Sequence, residues 1–239
     1  MKKVKNVLIA ALLLFTVLLC HAQNADEIID KYLKAIGGKE FIGNLKSVYI
    51  ESMADVQGMQ LPQKVTILNG VGYKSEFDVM GSLLVNCFTE KGGWTINPFA
   101  GVSTAEDMPE NQFKEGKDQI YIGAPFSVYK EKGYKAEYVG NEDVRGINAA
   151  KIKMTSPDSI ILYHWFDPQT GYLVKSMQQS QMEGQPVEVT VLYDDYRDNG
   201  GYKVPYKVYT SIGYMMEINS TVSKVELNKP VDPSVFIKP

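Results

Sequence analysis

The chain is short of several things that would point to chemistry. Among 239 residues it has two cysteines and two histidines, and its formal net charge is −3. With no basic excess to grip a phosphate backbone, nucleic-acid binding is set aside. Apolar runs long enough to span a bilayer are also missing. The longest, Val7 to Leu19, is interrupted only by Thr16 and falls short of the ~20 residues a spanning helix needs. Lys2, Lys3 and Lys5 precede it and Cys20-His21-Ala22 follows, the pattern of a secretory signal peptide over residues 1–22 with cleavage after Ala22. A rival reading makes Cys20 a lipidated N-terminus anchored to the outer membrane. The bulky Leu19 stands where lipoprotein signals usually place a small residue, so cleavage to Gln23 and release into the periplasm is preferred. The mature chain then keeps only Cys87, which excludes an internal disulfide. A 44% apolar fraction is enough for the core to hold the fold unaided.

What is present is mostly the period of a β-strand. Only the start differs. From Asn24 to Gly38, residues Ala25, Ile28, Ile29, Tyr32, Leu33 and Ile36 recur at helical spacing. Asn24 and Glu27 form a capping box, and Gly37-Gly38 ends the helix. Lys39 to Leu45 adds a short helical turn. From Lys46 the period is two, with turn signals such as Asn69-Gly70, Lys91-Gly92-Gly93, Ser156-Pro157-Asp158 and Asp198 to Gly201. The segment from Ala100 to Lys130 breaks the alternation. It reads as a loop with one or two short helices, interrupted by Gly123 and Pro125. Strands resume at Lys135, with a last strand pair placed in Ser211 to Leu227. The fold class is mainly β with helices (α+β), a curved antiparallel sheet or incomplete β-barrel closed by a helical lid, in one domain over residues 23–239.

Catalytic and metal signals are weak. His164, the one histidine after cleavage, has no Gly-x-Ser-x-Gly elbow to serve and reads as a satisfied or half-exposed strand residue. Cys87 reads as a small buried hydrophobe. Asp194, Asp195, Asp198 and Asn199 miss the calcium-loop spacing and read as a solvated hairpin end; Glu106, Asp107 and Glu110 read as a solvated face. No cofactor or metal is implied. Aromatics are plentiful, with 15 Tyr, 9 Phe and 2 Trp, and segments such as Ile160 to Phe166 are apolar on both faces. A sheet with one face in water has no need of that.

A set of short motifs resembles one family. Ala25-Asp26-Glu27-Ile28-Ile29 with Ala35-Ile36-Gly37-Gly38 is similar to the opening of LolA-like outer-membrane lipoprotein-sorting proteins. Gly92-Gly93-Trp94, Tyr129-Lys130-Glu131-Lys132-Gly133, Tyr138-Val139-Gly140, the stretch Tyr163 to Tyr172, Tyr196 to Pro205 and the terminal Val231 to Phe236 follow in order. The resemblance implies an incomplete barrel around an apolar cavity, and a non-enzymatic carrier of lipid or acylated lipoprotein that exchanges with inner- and outer-membrane partners. A sensor domain of the same fold, or a hydrolase using His164, are the alternatives. The expected cavity wall comprises Ile50, Val65, Phe77, Trp94, Ile152, Leu162, Met177 and Val189. The expected lid comprises Ile29, Leu33, Ile120, Tyr121 and Phe126, with the Gly123 to Pro125 break as its hinge.

Overall fold

The computed structural model describes residues 25–182 and 185–239. The expected signal peptide of residues 1–22 and the expected cap residue Asn24 lie outside the described residues. Helix α1 covers residues 25–35 and α2 covers Lys39–Asn44. Ala25, Ile29, Tyr32, Leu33 and Ile36 form the buried stripe of the first helical segment. Its end is fixed as the glycine pair predicts: Gly38 N–H reaches the Leu33 carbonyl at 2.8 Å, and both glycines have positive φ. A side chain at Gly37 would also collide with the Gly201 carbonyl, its Cβ 2.4 Å away.

A meander of six strands follows: β1 (Ser47–Val56), β2 (Met59–Leu68), β3 (Gly72–Val79), β4 (Ser82–Thr89), β5 (Gly93–Asn97) and β6 (Val102–Asp107). An insert then carries α3 (Glu110–Gly116), a 3₁₀ turn (Lys117–Ile120) and consecutive turns up to residue 133. Seven strands complete the chain: β7 (Lys135–Val144), β8 (Ile147–Thr155), β9 (Ile161–Phe166), β10 (Leu173–Met182), β11 (Gln185–Asn199), β12 (Tyr202–Ile212) and β13 (Met216–Leu227). All thirteen form one antiparallel sheet in the order β6-β5-β4-β3-β2-β1-β13-β12-β11-β10-β9-β8-β7. Its edges, β6 and β7, do not pair with each other, so the sheet is curved and open rather than a closed barrel.

Two sequence expectations need correcting. The segment after Ala100 contains a strand, β6, where only loop and helix were expected; its two faces are mostly exposed, so no apolar alternation betrays it. The last two strands do not both fit in Ser211 to Leu227. Strand β12 runs on through Ser211 to Ile212, and only β13 lies beyond the turn.

Residues directly opposite in a ladder share a face. The inner face runs from Ile50 through Val65 and Ser75 to Asn86 on one side. On the other it runs from Ile152 through His164, Ser176 and Val191 to Thr210. The first helix packs on this face, where its stripe meets Val48, Ile152, Met154, Phe166 and Leu173. The outer face is covered too. The C-terminal 3₁₀ turn Pro233–Phe236 seats Phe236 against Val85, Cys87 and Trp94. Farther along, Trp165 is buried beneath the ammonium groups of Lys151 and Lys175, 4.7 and 4.4 Å from its ring.

Candidate functional site: a roofed cleft on the inner face

The insert lies over the inner face, and two tethers hold it there. The Asn69-Gly70 turn binds its start: Ile122 N–H donates to Asn69 Oδ1 at 3.0 Å, and Gly70 N–H to the Ile120 carbonyl at 2.9 Å. The insert's far end binds α1, where Asp26 accepts from the Tyr129 hydroxyl and, at 2.7 Å, from Lys130. Burial works against ionisation of Asp26, yet these two donors outweigh it and hold the carboxyl below its usual value. Finally, Tyr134 donates its hydroxyl to Asp118 inside the insert.

Between roof and sheet the packing is incomplete. A hollow of about 490 Å³ has Leu162, His164, Ser176, Val189, Val191 and Thr210 as its floor. Glu115, Asp118, Gln119, Ala124 and Pro125 form its roof, and Tyr73 of β3 its far wall. It continues into a hollow of about 260 Å³ that shares Tyr73, Gln119, His164, Ser176 and Tyr193 and reaches Tyr32, Tyr121, Phe126 and Tyr202. Its size falls in the range of small-molecule sites, about 300–1,000 Å³.

Of the expected wall residues, Ile50, Val65, Phe77, Ile152, Leu162 and Val189 are on the inner face. Leu162, Val189 and, on the strand between theirs, Met177 line the hollow. Ile152 is fully buried and Ile50 packs against the same core beneath α1. Trp94 is a correction, and Met177 is one in its packing. Trp94 pairs with Cys87 on the outer face, in the row that continues through Lys74 to Thr66, and its indole N–H donates to the Phe236 carbonyl at 2.9 Å. Met177 pairs with Tyr163 and Thr190 and packs into the outer cluster around Trp165. It also borders the hollow on the inner side of its strand. Of the expected lid, Tyr121 and Phe126 face the inner hollow. Ile29 and Leu33 are core residues of α1, and Ile120 packs away from the hollow with Phe88 and Met108.

The polar lining was missed. His164 is 4% exposed, buried rather than half-exposed, and only one of its ring nitrogens is satisfied. Its Nδ1 lies 2.9 Å from Ser176 Oγ, and its Nε2 has no partner among the described residues. Burial alone pushes its pKa down to about 3, so the imidazole is neutral near pH 7. The Phe126 ring stands edge-on to it at 4.8 Å. Burial likewise raises the pKa of Tyr193, and raises that of Tyr202 to about 12, so both phenols stay protonated. One signal was available: His164 pairs across the ladder with Ile152, an expected wall residue, and shares the face of Leu162 two positions earlier. The acidic clusters are structural. Asp195 pairs with Arg197 at 2.6 Å, and Asp198 accepts the Gly201 N–H of its turn at 3.1 Å.

As a catalytic pair, Ser176 and His164 lack two things: a carboxylate on the imidazole, and a base whose pKa lies near working pH. The hollow can instead enclose apolar chain against Leu162, Val189 and Val191 and hydrogen-bond an uncharged group.

No family model matches the sequence, and no curated protein matches it. Solved structures do match. An outer membrane lipoprotein-sorting protein domain from Vibrio parahaemolyticus is 14% identical, with a TM-score of 0.57 over 90% of this chain and 97% of that one. A LolA superfamily protein from Nitrosomonas europaea is 14% identical, with a TM-score of 0.59 over 91% and 98%. A DUF1329 family protein from Desulfovibrio piger is 11% identical, with a TM-score of 0.53 over 89% and 97%. An open antiparallel sheet wrapped around an N-terminal helix and roofed by an insert is thus the fold this chain shares, over nearly its whole described length, with LolA-superfamily and lipoprotein-sorting domains.

Proposed function

We propose that this protein is a non-enzymatic periplasmic carrier that holds lipid, or the acyl chains of lipoproteins, in the roofed cleft on their way toward the outer membrane. The observation behind this reading is the cleft itself: a hollow left open between a packed core and a tethered roof. Each methylene buried there contributes ~0.8 kcal/mol, so a long chain gains on the order of 10 kcal/mol before ordering costs. The fold shared with lipoprotein-sorting domains supports the same reading. Secretion through the signal peptide of residues 1–22 belongs to it, and an intact mass beginning at Gln23 is the expected product. No helix among the described residues is long and apolar enough to cross a membrane.

Val189 and Thr190 provide the test, because they are neighbours in one strand that face opposite sides of the sheet. Val189→Arg fills the hollow with a charged side chain and should weaken binding of the neutral probe Nile red at least ~10-fold. Thr190→Arg, on the outer face, should leave binding unchanged. Equal effects of the two variants, with both folded, would remove the cleft from the function.

A further inference from the structure

The charge of the cleft lining is one-sided. Among the described residues neither lysine nor arginine lines any part of the hollow or its extension toward Phe88, while Glu115 and Asp118 stand in the roof. The polar groups that remain are uncharged: the phenols of Tyr73, Tyr193 and Tyr202, the Gln119 amide, the Thr210 hydroxyl and the His164–Ser176 pair. In either tautomer His164 stays neutral, and its Nε2 has no protein partner. A carboxylate or phosphate drawn into this space would lose its water, find no cation and face two acidic side chains. An alcohol or ester would lose its water too, but donors and acceptors are present to replace it.

We propose that the cleft selects uncharged amphiphiles, such as the acylglycerol esters and diacylglyceryl groups of neutral lipid chemistry, and rejects lipids whose polar end is anionic. The proposal rests on the carrier reading and specifies its cargo. Two features cooperate in it. Tyr193, Tyr202 and Gln119 recognise the polar end of the ligand. Glu115, held at 2.7 Å by the Ser180 hydroxyl, and Asp118, held by Tyr134, keep negative charge fixed in the roof.

The test is displacement of Nile red from the protein at pH 7.5 by monoolein, by oleate and by oleoyl lysophosphatidate, each below its aggregation concentration. Monoolein and oleate share one chain and differ in the charge of the polar end. Monoolein should reach half-displacement at a concentration at least ~10-fold lower than either anion. Glu115→Gln with Asp118→Asn should narrow that gap by improving oleate. Tyr193→Phe with Tyr202→Phe should narrow it by weakening monoolein. Because the readout is a ratio between ligands on the same protein, a general loss of folded protein does not imitate it. Oleate equal to or better than monoolein on the unaltered protein overturns the selectivity and leaves the carrier reading standing. A protein that binds neither Nile red nor any of the three lipids overturns both.

Discussion

His164 and Ser176 face each other from paired positions of adjacent strands, Nδ1 2.9 Å from Oγ, with the second imidazole nitrogen left without a partner among the described residues. The pair resembles half of a hydrolytic apparatus, but its electrostatics suit a neutral hydrogen-bonding wall. The folded-state pKa is depressed from 6.5 to about 3. The unfolded chain therefore binds the extra proton first as pH falls. Stability from this residue is fully present above pH 6.5 and declines through the window from 6.5 to 3, by up to about 1.4 kcal/mol per pH unit. His164→Gln should flatten that part of the stability curve. Urea midpoints at pH 7 and pH 5, for the two proteins side by side, measure it.

Gly72 is a packing requirement rather than a flexible joint. A Cβ there would lie 2.5 Å from the Phe236 ring. Gly72→Ala should cost about 1–3 kcal/mol in chemical denaturation. Combined with Phe236→Leu it should cost less than the sum of the single changes, since the two share one space.

Cys87 is fully buried, and burial pushes its thiol up to about 12. In the native protein at pH 8 it should resist iodoacetamide for hours and react promptly in denaturant, as followed by peptide mapping. Cys87→Ser should leave lipid binding intact.

Asp26 ties the insert to α1 through Tyr129 and Lys130. Asp26→Ala should lower overall stability by about 1–3 kcal/mol. It should also raise amide exchange in residues 121–133 far more than in β8 to β10. Uniform exchange throughout would show that the roof is not held by this contact.

Much of this architecture was legible because strand alternation and turn chemistry are local. Asn69-Gly70, Gly37-Gly38 and the Asp198 to Gly201 turn each sit where their residues demand. Facing was harder. Where a strand is apolar on one side only, as at Ile50 and Val65, parity identifies the inner face. Trp94 and Met177 defeated that rule because the outer face also has a cover, made by Phe236 in one place and by the Trp165 cluster in the other. Those covers come from distant sequence. The cleft sets polar groups into the apolar wall that was expected, since Ser176 and Gln119 reach it only through strand pairing and through the path of the insert.

The pairing of β1 with β13 joins the two halves of the sheet through residues such as Val48 and Leu227, nearly the full length of the described chain apart. Each half can form from neighbouring hairpins, which close quickly. The junction cannot: β1 keeps a bare edge until the last strand is available, and the loop it must close is long. Folding is therefore expected to end with this seam. A nascent or partly extended chain will carry an open strand edge that invites another chain, and any factor that guards the protein before completion has β1 to cover.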